Sequence, residues 1–396
     1  MAHLFISTGE VSGDLQGALL VKALYRLAAE RGIPLEISAL GGDRMAAAGA
    51  KLLFNTGGIG SVGLLEALPL IKPTIALQLK ARRYLRQHPP DLVVLIDYIG
   101  GNVAMGRFIR RHFSVPMVYY IAPQEWVWSH SLKTTRQIVA LSDRLIAIFP
   151  EEATYYRRYG ADVVWVGHPL LDRIAAAPSR ETARQSLGIA ADELAIALLP
   201  LSRKQEIKSL LPLILGAATN IAKAYPQARF WLPLSLRQYR PVIEAVLKQY
   251  PLHVTLAEDS LQVLAAADLA IAKSGTVNLE TALLNVPQVV IYRVHPLSLW
   301  LYQRFLKFDL KFVSPPNLLV NREIVPELLQ ERATVANITA AALALLDHPE
   351  KRLAMQAGYA EMRAAMGTPG VVERAATEIL NLLVNRKRAG SATLHE

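Results

Sequence analysis

The chain has 396 residues, no cysteine, and 43 Lys and Arg against 33 Asp and Glu, a net charge of +10. That length allows about two or three domains; the missing thiol excludes disulfides, cysteine nucleophiles and Cys-ligated metals; the positive excess favours anionic partners such as nucleic acid, an anionic membrane or a phosphorylated substrate. Hydrophobic residues make up 52 % and mean hydropathy is +0.24, yet no apolar run reaches the ~18 uncharged residues needed to cross a bilayer, and no basic and apolar leader of the secretory kind is visible.

The predicted elements start with a short apolar run, Leu4–Ser7, read as a strand. It ends in Ser7-Thr8-Gly9-Glu10-Val11-Ser12-Gly13-Asp14 and runs on into helix-spaced Leu15, Ala18, Leu19, Lys22 and Ala23. A strand that ends in a Gly-, Ser- and acid-rich turn before a helix is where open α/β folds place ligands. Gly9 and Gly13 allow tight turning, and Ser12 and Asp14 are suited to cap the helix. Further strands are expected at Leu35–Leu40, Leu92–Asp97, Met117–Ile121, Arg144–Phe149 and Val163–Val166. Each is nearly all apolar, as in strands covered on both faces, and helical patterns lie between most of them, which implies a parallel, doubly wound sheet. Asp97 sits at the tip of its strand, where a carboxylate can take a proton from a hydroxyl nucleophile; Glu10, at an equivalent strand end, is a reserve base, and Asn102 is placed to orient an acceptor. Trp126 and Trp128, followed by Lys133 and Arg136, are candidates to grip an apolar, phosphorylated acceptor. His168, in Gly167-His168-Pro169-Leu170, reads as positional.

Leu171–Leu187 breaks the rhythm, and Ala175-Ala176-Ala177-Pro178-Ser179-Arg180 reads as a linker and helix start. Strands then resume at Ala195–Leu199, Arg229–Leu232, His253–Leu256, Leu269–Ala272 and Val289–Tyr292, with a helical tail after about residue 330. The resulting expectation is a first domain over residues 1–175, a second over 176–365, and a C-terminal helix and tail over 366–396. Three segments of the second domain suit a nucleoside diphosphate. Lys273-Ser274-Gly275-Thr276 opens a helix whose backbone N–H groups favour phosphate, with Glu280 one turn inside to accept from a ribose diol. Ser202-Arg203 follows the domain's first strand, and an arginine fork matches phosphate oxygens. Asn317, in Pro316-Asn317-Leu318-Leu319, and Glu323 form the third element. Two stretches, Val62–Lys72 and the aromatic and basic Leu297–Val313, have the character of segments that lie at a lipid surface.

Taken in order, Gly9-Glu10-Val11-Ser12-Gly13-Asp14, Gly41-Gly42-Asp43-Arg44-Met45, Trp126-Val127-Trp128, Val166-Gly167-His168-Pro169-Leu170, Ser274-Gly275-Thr276 with Leu279-Glu280, and Pro316-Asn317-Leu318-Leu319 with Arg322-Glu323 resemble the lipid-A-disaccharide synthase family over nearly the whole chain. The resemblance implies a GT-B glycosyltransferase, with two doubly wound Rossmann-like domains facing across a cleft, which inverts the anomeric centre without a metal or other cofactor. It implies a reaction of UDP-2,3-diacylglucosamine with 2,3-diacylglucosamine 1-phosphate to give the β(1→6) disaccharide and UDP. Asp97 is then the base; Ser202, Arg203, Lys273, Ser274, Gly275, Thr276, Glu280, Asn317 and Glu323 hold UDP; and Ser12, Gly13, Asp14, Trp126, Trp128 and His168 bind the acceptor.

The chain also departs from that pattern. Where the family usually reads Asp-x-Pro-x-Phe-Asn, this sequence has Asp97-Tyr98-Ile99-Gly100-Gly101-Asn102; Leu201 replaces a usual glycine and Ser129 a common arginine. A GT-B transferase using a UDP-sugar with a different lipid or glycan acceptor therefore stands as the alternative. Expected partners are the UDP-sugar, the acylated glucosamine phosphate, a membrane surface and a second copy of the chain. Nucleic acid is not expected, because the basic residues are scattered and no recognition motif appears. The expected location is cytoplasmic, peripheral on the inner face of the bacterial cytoplasmic membrane.

Overall fold

The computed structural model describes residues 1–9, 11–56, 71–128, 132–199, 204–234, 237–293 and 312–392. They form two compact units: one joins Met1–Asp172 to Met366–Glu396, and the other is Arg173–Ala365. The first unit holds a seven-stranded sheet of β1 (Ala2–Ser7), β2 (Leu35–Gly41), β3 (Lys51–Asn55), β4 (Leu92–Ile96), β5 (Met117–Tyr120), β6 (Arg144–Ala147) and β7 (Val163–Trp165). Its order is β3-β2-β1-β4-β5-β6-β7, and every pairing is parallel. The second unit has six strands in the order β10-β9-β8-β11-β12-β13, again all parallel: β8 (Leu194–Leu199), β9 (Ala228–Pro233), β10 (Val254–Ala257), β11 (Leu269–Lys273), β12 (Gln288–Tyr292) and β13 (Glu327–Leu329).

Apolar continuity foretold the central strands because these are buried throughout, as Leu92–Ile96 and Leu269–Lys273 show. The strands that sequence reasoning passed over, β3 and β13, are edges. Lys51–Asn55 is polar at both ends and only half-buried, and Glu327–Leu329 is three residues long, so neither leaves a periodic signal. Strand β4 stops at Ile96 rather than Asp97 because Asp97 turns left-handed, with φ of 48°.

Phe5, Val93, Leu95, Tyr119, Ile138, Leu145 and Tyr156 are fully or nearly buried at the centre of the first unit, each worth roughly 1.5–3 kcal/mol against exposure. The C-terminal helix Val371–Ala392 is part of this unit rather than a separate tail. It packs on the first helix, Val11–Glu30, burying Ile379, Leu380 and Leu383. Arg31 reaches Asn381 at 3.0 Å and Arg144 reaches Glu378 at 2.6 Å. Its start is held by the Asp172 carboxylate, which accepts from the N–H groups of Gly370, Val371 and Val372, an anion at the positive end of a helix. The second core is built on small residues, Ala195, Ala197, Ala270 and Ala272, around Leu199, Trp231 and Leu264.

Candidate functional site

In open parallel sheets ligands gather outside the carboxyl ends of the strands, at the point where strand order reverses. The first sheet reverses between β1 and β4, the second between β8 and β11. Thr8-Gly9 leaves β1, Asp97 leaves β4 and Ser274 leaves β11; residues 200–203 follow β8 in the sequence. Glu10, Ser202 and Arg203 fall outside the described residues.

Asp97 and Tyr98 are consecutive non-glycine residues with positive φ, 48° and 46°. Such backbone costs on the order of 1–3 kcal/mol per residue and persists only where the surroundings over-determine it. Here they do. The Asp97 carbonyl accepts from the Tyr119 hydroxyl at 2.8 Å and from the Asn102 amide at 2.8 Å, and its N–H donates to the Ile121 carbonyl at 3.1 Å. Burial, with the Asp97 charge second, keeps the Tyr119 phenol protonated well beyond its ordinary range. Asn102 is fully buried. Its amide nitrogen also reaches the Ser7 and Ile96 carbonyls, at 3.3 and 2.9 Å, and its oxygen takes the Ser7 hydroxyl at 2.8 Å. Its polar atoms are committed to tying β1 to the Asp97 turn. It is therefore a clamp on the Asp97 turn.

Asp14 also turns out to be a brace. Its carboxylate accepts from the backbone N–H groups of Gly42, Arg44 and Met45 at 2.7, 3.2 and 3.1 Å, capping the short helix Asp43–Ala47. The Gly9–Asp14 and Gly41–Met45 motifs are thus one structural feature. Gly13 lets the helix close on Thr8, since a Cβ there would lie 1.9 Å from the Thr8 hydroxyl. Ser12, half-buried, sits in the first turn beside it.

Beyond β5 the helix Glu125–Trp128 carries both tryptophans. The half-buried Trp126 packs at 6.0 Å on Phe149, which packs at 5.1 Å on His168. Burial drives the His168 pKa down to about 3, so the ring is neutral, and its Nδ1 accepts from the Leu170 N–H at 3.2 Å. Lys133 and Arg136 line a surface depression with Leu132, Gln137 and Ala140. One group here escaped sequence reasoning. Glu152 is fully buried, and its Oε2 accepts from the N–H groups of Ile148 and Phe149 at 2.8 and 3.3 Å. Burial chiefly, with a further push from the Asp97 charge, raises its pKa to about 8. Its other oxygen, the Tyr120 hydroxyl and the Trp126 indole N–H are buried without a hydrogen-bond partner among the described residues. The only local trace of Glu152 was an acid in the first turn after Phe149-Pro150.

In the second unit Lys273 closes β11 and is nearly buried. A Cβ on Gly275 would sit 3.1 Å from its Nζ, so glycine gives the ammonium room. The Ser274 hydroxyl donates to the Val313 carbonyl at 3.0 Å, and the Gly275 N–H donates to the Asn278 side chain at 2.8 Å; the serine thus shapes the turn rather than offering its hydroxyl. Thr276, half-buried, precedes the helix Val277–Leu283; the Asn278 N–H donates to the Gly275 carbonyl at 3.0 Å, and the Leu279 and Glu280 N–H groups donate to the Thr276 carbonyl at 3.0 and 3.4 Å. Glu280 is buried and ion-paired with Arg173, whose other terminal nitrogen reaches the Ser260 hydroxyl at 3.3 Å. No local pattern announced Arg173, which meets Glu280 only through the fold.

Asn317 is a staple. Its oxygen accepts from the Ile324 and Val325 N–H groups at 2.7 and 2.9 Å, and its nitrogen donates to the Val325 carbonyl and Glu327 at 2.9 and 2.8 Å. It presents no polar atom to a base or diphosphate. Glu323 is exposed; the buried carboxylate of this region is Glu327, which accepts from the Val313 and Ser314 N–H groups at 2.9 and 2.8 Å.

Solved structures carry the same fold at low identity. UDP-GlcNAc 2-epimerase from Neisseria meningitidis, bound to UDP-GlcNAc, superposes with TM-score 0.64 at 15 % identity, over 97 % of this chain and 100 % of that one. MurG from Acinetobacter baumannii gives 0.54 at 16 %, over 96 % and 100 %. The architecture is accordingly that of the GT-B glycosyltransferases and epimerases. Sequence narrows the class further. The family model for lipid-A-disaccharide synthetase matches residues 4–378. A lipid-A-disaccharide synthase from Gloeothece citriformis is 56 % identical over 96 % of this chain and 99 % of its own length, and one from Synechocystis sp. is 53 % identical over 98 % and 99 %. The chain belongs to the lipid-A-disaccharide synthase family, and is a hexosyltransferase.

Proposed function

We propose that the protein transfers 2,3-diacylglucosamine from its UDP derivative to the 6-hydroxyl of 2,3-diacylglucosamine 1-phosphate. Asp97 removes the hydroxyl proton as the oxygen attacks the anomeric carbon; the bond from that carbon to the diphosphate oxygen breaks, UDP departs, and the centre inverts to β. The observation that carries this reading is the fixed Asp97 turn at the β1/β4 reversal, held by Asn102 and Tyr119. A base so restrained needs little reorganisation when the proton moves. Lys273, the helix start after it and Arg203 take the charge that grows on the diphosphate, while Glu280, oriented by Arg173, accepts from the ribose. Glu10 remains the reserve base. Ser12, Gly13, Trp126, Trp128 and His168 belong to the acceptor side, where the neutral His168 acts by shape and the tryptophans meet acyl or sugar carbons.

Peripheral attachment to an anionic membrane on its cytoplasmic side is part of the same proposal. Val62–Lys72 and Leu297–Val313 are the stretches expected to lie at lipid; apart from the Ile71 backbone, Lys72, Phe312 and Val313, they fall outside the described residues. The adjoining helix Ile71–Gln87 supports the reading, because Ile75 and Leu79 are 54 and 58 % exposed one turn apart, with Lys72, Lys80, Arg83 and Arg86 exposed around them. Basic residues beside exposed apolar ones suit a bilayer interface. Among the described residues no helix is long and apolar enough to cross a membrane. Association into a homodimer completes the proposal, and sedimentation at several protein concentrations tests it. For the transferase itself, purified protein given both lipid precursors should release UDP and form the disaccharide, and Asp97→Ala should nearly abolish both. Undiminished turnover in that variant would remove Asp97 from the chemistry.

A further inference from the structure

Tyr98, the residue after the base, is gripped by two glycines from different parts of the switch point. A Cβ added to Gly9 would lie 2.3 Å from the Tyr98 Cδ1, and one added to Gly101 would lie 2.1 Å from its Cε1. Both distances are far inside van der Waals contact, so the ring occupies the volumes that side chains at 9 and 101 would need. Gly9 belongs to the loop after β1 and Gly101 to the first turn of the helix Ile99–His112. The ring therefore joins the loop after β1 to the first turn of the helix after β4. Gly100, by contrast, has open space where its Cβ would be, so the fit is specific to one direction.

The Asp97–Tyr98 pair stays left-handed against its intrinsic preference. Hydrogen bonds to the Asp97 carbonyl restrain one side of the pair; on the other side the restraint is the ring in its slot. We propose that Tyr98 is a positioning residue, whose ring, wedged between Gly9 and Gly101, sets the direction in which the Asp97 carboxylate leaves β4, and that a ring carried at position 101 can fill the same slot. This rests on the reading of Asp97 as the base. Without the ring, the pair can relax toward ordinary backbone and carry the carboxylate with it, and a displacement of about 1 Å costs roughly 10²-fold in rate.

The test compares the full-length wild type with Tyr98→Phe, Tyr98→Gly, Gly101→Phe and the double variant Tyr98→Gly/Gly101→Phe. Glycine is chosen at 98 because it accepts the left-handed backbone without strain. UDP release gives kcat and KM, thermal melts report folding, and NMR of labelled aspartate reads the Asp97 titration without substrate. Tyr98→Phe should keep most of the wild-type kcat. Tyr98→Gly should lose about 10²-fold in kcat, with KM for both substrates little changed and the Asp97 titration displaced. Gly101→Phe should behave similarly, because two rings compete for one slot, and the double variant should recover both kcat and titration. Wild-type kcat and titration in Tyr98→Gly would overturn the proposal, as would a double variant that melts like the wild type yet recovers neither. A wild type that releases no UDP would count against the transferase mechanism, while the NMR arm would still decide the role of Tyr98.

Discussion

The two units place their chemistry at the same topological position but hold it by opposite means. In the proposed mechanism the working group of the first is a side chain, and Asn102, Tyr119 and the Tyr98 ring all converge on a strained turn around that Asp97. In the second, the groups proposed to work are Lys273 and the backbone at the start of Val277–Leu283, and the surrounding side chains, Ser274, Asn278 and Asn317, are spent on shaping backbone. The difference follows from the chemistry. Proton removal requires one carboxylate within hydrogen-bond reach of one hydroxyl, whereas a diphosphate spreads its charge over several oxygens that many donors can meet. A base tolerates misplacement poorly; a charge cradle shares the load.

That contrast predicts a ranking. Asp97→Asn keeps size and loses the base, and kcat should fall about 10²–10⁴-fold, whereas Lys273→Ala, removing one donor among several, should cost about 10²-fold; steady-state UDP release measures both, and equal losses would erase the distinction. Next in size is Asn102→Ala. It strands several buried hydrogen-bonding groups and should lower stability by about 3 kcal/mol, with kcat falling beyond what partial unfolding explains; urea denaturation beside assays at low temperature separates the two effects. In the second unit, Glu280→Gln breaks the nearly buried pair with Arg173. It should raise the KM for the UDP-sugar roughly tenfold, equivalent to about 1.4 kcal/mol, with a smaller change in kcat.

The smallest effects on turnover, and the clearest on pH, come from the two buried titratable groups of the first unit. Glu152 titrates near 8 in the folded chain against an ordinary 4.5. Its contribution to stability is full below pH 4.5 and declines at about 1.4 kcal/mol per pH unit until pH 8. His168 titrates near 3 against 6.5, so its contribution is present above 6.5 and declines as pH falls toward 3. The two slopes oppose each other between pH 4.5 and 6.5, and above 6.5 only Glu152 acts. Glu152→Gln, which keeps an oxygen for the Ile148 and Phe149 N–H groups, should therefore remove the fall in stability between pH 6.5 and 8 while leaving kcat near the wild type. Denaturation midpoints at pH 5, 6.5 and 8 check this; an unchanged decline in the variant would place its source elsewhere.

The sequence by itself determined the class of fold and where along the chain to look. Buried parallel strands have to be continuously apolar, so β1, β4 and β11 declared themselves, and the turns that follow them carry the Asp97 and Lys273-Ser274 signals. The order of strands, and with it the reason those two turns matter, was set only in three dimensions. So were the tasks of individual polar residues. Asp14, Asn102 and Asn317 have the composition of ligand contacts, yet each spends its side chain on groups, mostly backbone, 5 to 95 residues away. Arg173 carries no local mark at all, and Glu152 only that of an acid in the first turn of its helix. A residue type fixes which hydrogen bonds a side chain can make, and periodicity fixes which face of an element is buried; neither says which distant backbone will arrive to take those bonds, because that depends on how the elements pack.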